Sequence, residues 1–503
     1  MIVALTVTAA VFCCYLYLIE RAAGIAAICV VIVSLGCASA IYIIRYKRGK
    51  IKLRVPLAFC IALVLSVSVV SFGTAVADEW NEGYRFSGYC YVTGRVSAVD
   101  MRSGQMRFNL NDVTINGEKA NGLLRLGIEI GDYSAVDFVR LGDNLSFGGF
   151  VNAVKLYENG KINGTAFRTD IRYSAMVDID SLSFSPGEAK PLESFMQNWR
   201  ELYVQNMGVK YGNIAFSMLT GDKLALDYDV TSYFSAAGLG HILAVSGLHI
   251  GFMVLILNFL LKKFGRKVRY SVILAVMLAY TVIADFSPSV IRAVIMTVIS
   301  GIGIMIGGRR DLMSSLLCSY SLILAVKPYY MFEAGFLFSF ASIFGIALFA
   351  NSFMLGLTKH GVNRKIAGSV CASTAVTLST FPTGSYIVGY ICPIALISNA
   401  VLIPYLTAVF ISIVCLSPIA AIPGCGVMLV VPKYLLIALD YIAIGLSNIP
   451  YSTIALRTSG AVFLCYPLMF FASEFVMYPK KCKIAARSYS AAMCILLFAV
   501  CAL

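Results

Sequence analysis

The sequence is poor in charge, in tryptophan and in histidine. Only 13% of its 503 residues are Asp, Glu, Lys or Arg, where a soluble domain carries about 25%. It has 2 tryptophans and 3 histidines, while 59% of its residues are apolar. Mean hydropathy is +0.82. These shortages exclude a soluble enzyme, a disordered tail and a fibrous protein, and leave a polytopic membrane protein. No Gly-Lys-Ser/Thr run occurs, so a Walker A loop is missing. The three histidines and scattered cysteines show no zinc spacing. Of the 15 cysteines, only Cys90 lies in the one long polar segment. The rest sit in or beside apolar runs and read as small apolar residues rather than bridges or metal ligands.

What charge there is lies unevenly. Residues 78–200 hold 13 basic and 16 acidic side chains, whereas the remainder holds 27 basic and 10 acidic ones. The basic excess falls in short loops between apolar runs, as expected when Lys and Arg stay on the cytoplasmic side. The N-terminus has neither a basic n-region nor a small-residue cleavage site, so no removable signal peptide is expected. Runs at 2–19 and 22–44 are long enough to span a bilayer or form a tight hairpin. A basic loop follows at 45–54, and 55–72 returns outward. Further spans are expected at 239–261, 271–286, 289–307, 312–326, 332–353, 366–383, 386–416, 427–446, 461–477 and 484–503. The run at 386–416 is overlong and contains Pro393 and Pro404, which suits a kinked helix or two half-spans. One alternation places every basic cluster inside.

The fold expected is therefore a polytopic α-helical membrane protein of about 11–14 spans. A small extracytoplasmic β-barrel domain, OB-like, is inserted after the third span. Segments at 89–96, 106–113, 123–130 and 145–151 are rich in β-branched and aromatic residues. Asn116-Gly117, Asn121-Gly122, Gly131-Asp132 and Asn159-Gly160 supply turns. Roughly five strands in about 100 residues suit an OB-fold, with a sandwich as the alternative. The boundaries expected are 1–77 for N-terminal spans, 78–200 for the β domain, 201–480 for the main transmembrane domain and 481–503 for a C-terminal span.

The stretch richest in unusual residues runs from Ser217 through Gly221-Asp222 to Gly251. It carries His241, Ser246, Gly247 and His249 in an otherwise apolar run. Ionisable groups at such depth face a cavity or a partner, and the glycines permit a helix break or close helix approach. Tight packing with satisfied histidines and a role in a path or site are both open. Catalytic alternatives fit poorly. Ser246 has Ala244 and Leu248 where a nucleophile elbow needs glycines. His241 and His249 are eight apart with no intervening Glu, unlike a zincin. Downstream, Ser287 suits an N-cap and Pro288 a first helical position, which puts Arg292 one turn into the bilayer. There it can snorkel, pair with Asp285 or offer a cationic step to a phosphate backbone. The aromatic run 332–340 suits base stacking, lipid or core.

These residues resemble the signature of the ComEC family of bacterial competence proteins. Ala244-Val245-Ser246-Gly247-Leu248-His249 is its centre. Gly221-Asp222, the run from Ser287 to Ala293, Gly335-Phe336 with Ser339-Phe340, Phe381-Pro382 and Asn399 through Pro404 follow in family order. The resemblance covers roughly 203–477 and is weaker over the β domain. It implies a channel for one strand of transforming DNA, with His249, Ser246, Gly247, His241, Asp222, Arg292, Ser287 and Pro288 along the path. Leu337 stands where the family usually has Gln. Many members continue into a metallo-β-lactamase-like domain, which is not expected here, so no enzyme activity is expected and a separate nuclease is. Other expected partners are a DNA receptor with pilus components, a cytoplasmic motor ATPase or helicase, and a second copy in a homodimer. No cofactor or metal is expected. In the β domain, Arg95, Arg102, Arg107 and Arg125 form a candidate basic groove for DNA; shaping the entrance or holding a dimer is the alternative. Two rival readings remain, a secondary transporter of another anionic solute and a membrane hydrolase built on Ser246 and His249.

Overall fold

The computed structural model describes residues 6–11, 14, 54–102, 105–129, 142–155, 157–158, 161–178, 181–188, 190–223, 226–305, 311–473 and 483–502. The runs at 2–19 and 22–44 fall largely outside these residues, as do the turns at Gly131-Asp132 and Asn159-Gly160. The chain forms two compact units, one of residues 1–199 with 317–333 and one of 200–316 with 334–503.

The first unit contains helix α1 (Arg54–Glu82) and a β-barrel. Its strands are β1 (Gly88–Arg102), β2 (Gln105–Ile115), β3 (Leu123–Glu129), β4 (Asn144–Ala153), β5 (Ile171–Val177) and β6 (Leu182–Ser185). Side chains alternate as a half-buried strand requires. In β1, Cys90, Val92 and Val96 point into the core while Tyr89 and Tyr91 point out. The order β1-β2-β3-β5-β4 closes on itself because β1 pairs antiparallel with residues 144–151 of β4. The pairing of β3 with β5 is parallel, and the other pairings are antiparallel. The short β6 adds to 144–147 of β4. Asn116 (φ 51°) and Gly117 (φ 82°) make the tight turn after β2, the left-handed pair that a two-residue hairpin needs. Phe108, Leu110, Ile115, Leu124, Phe147 and Tyr173 fill the interior.

The barrel is tied to α1 by polar contacts. Trp80 Nε1 donates to the Val154 carbonyl at 2.7 Å, and Arg172 lies 5.1 Å from the Trp80 ring. Arg172 also pairs with Glu79 at 3.1 Å and Asp170 at 2.9 Å. Burial opposes its charge, yet the Asp170 hydrogen bond and the two carboxylates raise its pKa above the usual value. Helix α2 (Gly164–Thr169) brings Phe167 edge-on to Tyr329 and Tyr330 of the same unit, at 5.4 and 5.7 Å. Arg168 pairs with the buried Glu333 at 3.5 Å.

The second unit is helical. In chain order its helices are α3 (Pro191–Met207, shared with the first unit), α4 (Val209–Thr220), α5 (Tyr228–Ala236), α6 (Gly247–Leu260), α7 (Arg266–Ile283) and α8 (Pro288–Met305). Then come α9 (Leu312–Val326, also shared), α10 (Ala334–Gly345), α11 (Asn351–Lys359), α12 (Arg364–Ile387), α13 (Ala395–Ala420), α14 (Val430–Ser447), α15 (Cys465–Ala472) and α16 (Lys483–Ala502). A π turn at Ile346–Ala350 joins α10 to α11. Among the described residues, three continuous helical stretches are long and apolar enough to cross a membrane: Ala334–Lys359, Ala395–Ala420 and Gly426–Ser447. Shorter apolar helices include Gly247–Leu260, Pro288–Gly303 and Leu312–Val326. The overlong run at 386–416 divides at Tyr390–Ile391, a two-residue strand paired with Ile454–Ala455. Beyond it α13 runs unbroken through Pro404 and Pro418. Small residues let α10 and α12 approach: a side chain at Gly345 would collide with Ser379 and the Ala375 carbonyl.

Candidate functional site

Helix α4 is enclosed from Gly212 to Thr220. Its buried polar residues Asn213, Ser217 and Thr220 fall at i, i+4 and i+7, one helix face. Arg200 Nε donates to Asn213 Oδ1 at 2.9 Å, and Ser217 Oγ donates to the Leu243 carbonyl at 2.9 Å. Gly221 ends the helix at φ 79°, returning its N–H to the Ser217 carbonyl at 2.8 Å, the left-handed stop that glycine favours. It packs on the Val245 backbone, 3.4 Å from where a Cβ would stand to the Val245 nitrogen. The half-buried Asp222 follows, with its N–H on Thr220 Oγ1 at 3.1 Å.

The run expected to span at 239–261 is interrupted. Gly238 (φ 76°) lies against the Ala395 backbone with no room for a side chain. A 3-10 turn covers Gly240–Leu243, Ala244 is extended, and regular helix starts only at Gly247. Ser246 is the N-cap, its Oγ accepting from Leu248 N–H at 3.3 Å. His249 completes the cap from the third helical position, where a capping box ordinarily has Glu or Gln. Its Nδ1 accepts from Ser246 N–H at 3.1 Å, so in the neutral ring the proton sits on Nε2. His249 is 4% exposed and stacks on Phe410 of α13, with ring centres 4.5 Å apart. The proximity of Ser246 and His249 is therefore that of a helix start: Oγ caps the helix and Nδ1 is engaged by the backbone.

Arg292 approaches the same helix start from α8. Ser287 and the buried Pro288 begin α8, the Ser287 carbonyl taking the Ile291 N–H at 3.0 Å. Arg292 is 3% exposed. Its Nη1 donates to the Ser339 carbonyl of α10, and its guanidinium lies 5.7 Å from the Phe340 ring centre. Nη2 lies against Gly247, where any side chain would collide with it. Arg292 neither snorkels nor pairs with Asp285, which sits in an exposed turn. Ser246, Gly247, His249 and Arg292 thus come together, with Phe336 and Phe340 beside them at 4.4 Å from each other. His241 lies on the 3-10 turn before this group, with its side chain exposed.

The arginines of the barrel behave differently. Arg95 makes two 2.9 Å hydrogen bonds to the Glu193 carboxylate and lies 3.7 Å from Asp112. The Glu193 hydrogen bond raises its pKa above the usual arginine value. Arg125 Nε donates to Asn109 Oδ1 at 3.2 Å. The register places Arg95 opposite Asn111, Arg125 opposite Asn109 and Arg107 opposite Gly127, so the three share one outer face of β1–β2–β3. Arg102 ends β1, and its side chain lies outside the described residues. Arg95 is committed to carboxylates and does not offer a free charge on that face.

A second buried polar cluster escaped the sequence reading. Asp440 of α14 is 3% exposed. It accepts from Lys210 Nζ at 2.6 Å, from Tyr211 at 3.4 Å and from the Tyr233 hydroxyl. The signal was a lone Asp in the apolar run 427–446.

A family model described as "Competence protein" matches residues 218–481. ComE operon protein 3 of Bacillus subtilis (strain 168) is 30% identical over 150 residues, 29% of this chain and 19% of that protein. An uncharacterized protein of Aquifex aeolicus (strain VF5) is 24% identical over 217 residues, 43% of this chain and 48% of that one. The chain thus spans less than half the length of either relative. No solved structure matches. The matched region holds α6 with its Ser246–His249 cap, Arg292 and the Ser339-Phe340 pair, and on this match over more than half its length the chain belongs to the competence protein (ComEC) family.

Proposed function

We propose that this chain is a channel that carries single-stranded transforming DNA across the bacterial cytoplasmic membrane during natural competence. One observation carries the reading: the family segment interrupts an apolar run and meets a buried Arg292 that has no carboxylate beside it among the described residues of a helical unit. Nucleic acid presents a phosphate at each step, so a conduit needs cations and stacking surfaces. Arg292, the stacked pair His249–Phe410 and Phe340 supply both. Ser246, Gly247, Asp222, Ser287 and Pro288 set the backbone around them, and His241 lies at the margin.

The same reading makes the chain multi-pass, with about 11–14 spans, 1–77 and 481–503 lying at the ends of the channel domain 201–480. It puts the barrel of 78–200 outside the membrane as an OB-like domain that shapes the entrance. A DNA receptor with pilus components, a cytoplasmic motor ATPase or helicase, a separate nuclease and a second copy of the chain are the partners it requires.

The test is uptake of labelled DNA by cells with and without the gene, scoring surface-bound and nuclease-protected label separately. Loss of protected label with surface binding intact supports the channel. Unchanged values of both, under conditions that induce competence, refute it and favour a transporter of another anionic solute.

A further inference from the structure

Burying a cation is costly unless a partner answers its charge. Arg292 is enclosed among α6, α8 and α10. Yet among the described residues no carboxylate stands within ion-pairing distance of it, and its Nε has no hydrogen-bond partner. What surrounds the guanidinium is a backbone carbonyl of Ser339 and the face of Phe340. The other neighbour deepens the imbalance. Nη2 abuts Gly247, the first residue of the 14-residue α6, and a helix N-terminus carries the positive end of its dipole. Among the described residues the buried Ser339 hydroxyl has no hydrogen-bond partner either. Two positive groups therefore meet beside a residue whose hydroxyl is unsatisfied, and among the described residues no carboxylate lies between them.

We propose that Arg292, the start of α6 at Gly247 and the Ser339 hydroxyl form a binding site for one phosphodiester group of the transported strand. The strand's own phosphate is then the counter-ion that no described carboxylate supplies. A guanidinium fork matches two phosphate oxygens, and helix N-termini accept phosphate readily. A monoanion suits a site with a single full cation. Arg292 is enclosed in this packing, so the phosphate enters as α6 and α10 part. The site deepens the channel reading and rests on it for the identity of the strand, while its anion chemistry stands on the geometry alone.

The experiment uses the full chain purified in a maltoside detergent, which brings no phosphate. Thermal unfolding is followed with and without dimethyl phosphate, the smallest diester anion. Binding is followed with a fluorescent single-stranded oligonucleotide, and with the same sequence carrying uncharged methylphosphonate linkages. Dimethyl phosphate is expected to raise the unfolding midpoint of the wild type and not of Arg292→Gln. The natural oligonucleotide is expected to bind Arg292→Gln about tenfold more weakly than wild type, and the methylphosphonate strand to bind both alike. Arg292→Lys, which keeps charge but loses the fork, should fall between. Equal dimethyl phosphate shifts in wild type and Arg292→Gln overturn the site. If Arg292→Gln does not fold, Ser339→Ala carries the test: a reduced shift supports the site and an unchanged shift overturns it. An Arg292-dependent shift without oligonucleotide binding keeps the anion site and defeats the DNA reading. Oligonucleotide binding that ignores Arg292 does the reverse.

Discussion

Asp440→Ala removes the acceptor that joins α4 and α5 to α14. Breaking one half of a buried ion pair costs about 3–5 kcal/mol. Here the burial is one-sided: the Asp440 side chain is 4% exposed and that of Lys210 is 39% exposed. Water can take over much of the ammonium, which lowers the expected cost to about 2–3 kcal/mol. Most of that comes from the Tyr233 hydroxyl and the partly desolvated Lys210. Asp440→Asn keeps an acceptor for Tyr233 and should cost only about 1 kcal/mol. Lys210→Met in the Asp440→Ala background should recover about 1 kcal/mol, because the stranded charge is gone. Buried thiols such as Cys371 and Cys465 make the assay direct: a thiol-reactive fluorophore reports unfolding of purified protein on a thermal ramp. A double-mutant cycle with coupling indistinguishable from zero would refute the argument. So would an Asp440→Asn variant as damaged as Asp440→Ala.

Other expectations concern the site and the barrel. Ser246→Ala should cost about 1 kcal/mol through the lost cap, read as a lower midpoint in the same thiol assay. His249→Gln keeps a residue that fits a capping box, so membrane protein levels should hold while nuclease-protected DNA falls; equal uptake at equal levels would remove His249 from the path. Gly238→Ala places a side chain at φ 76° against the Ala395 backbone and should leave little folded protein by fluorescence-detected gel filtration. Tyr173 is buried in the barrel, which raises its pKa above the usual 10.0. The folded state then holds its proton longer than the unfolded chain, so stability should decline as pH rises above about 10. Tyr173→Phe should flatten that decline, and an unchanged pH profile would contradict it.

Much of this molecule was legible because its signals are local. Alternation in 106–113 and Asn116-Gly117 marked β2 and its turn. Ser287-Pro288 marked the start of α8 within a residue. The glycines of 238–251 left a break and a close helix approach both open, and the structure has a 3-10 turn at Gly240–Leu243 and Gly238 against the Ala395 backbone. What sequence could not supply were partners far along the chain. Arg95 looked free beside other arginines, but Glu193 claims it from 98 positions away. Lys210 and Asp440 lie 230 apart, and no periodicity connects them. Ser246 and His249 were legible as a pair and not as a cap, since three-residue spacing serves both a site and a helix start. The closing contact of the barrel, β1 with β4, likewise depends on a fold-level return that no single strand pattern encodes.

The turn between α7 and α8 has its own consequence for how this protein tolerates change. Asp285 and Phe286 both adopt φ near 47°, an uncommon conformation for residues with side chains. They reverse the chain just ahead of Pro288, and the helix clock starts there. Each residue of an α-helix turns the next by about 100°. One residue added or removed between the turn and Arg292 would swing the guanidinium away from Gly247 and toward another face. The loop can therefore vary in composition far more freely than in length. Its inheritance is a count, and a single-codon insertion there should silence the protein where several substitutions leave it working.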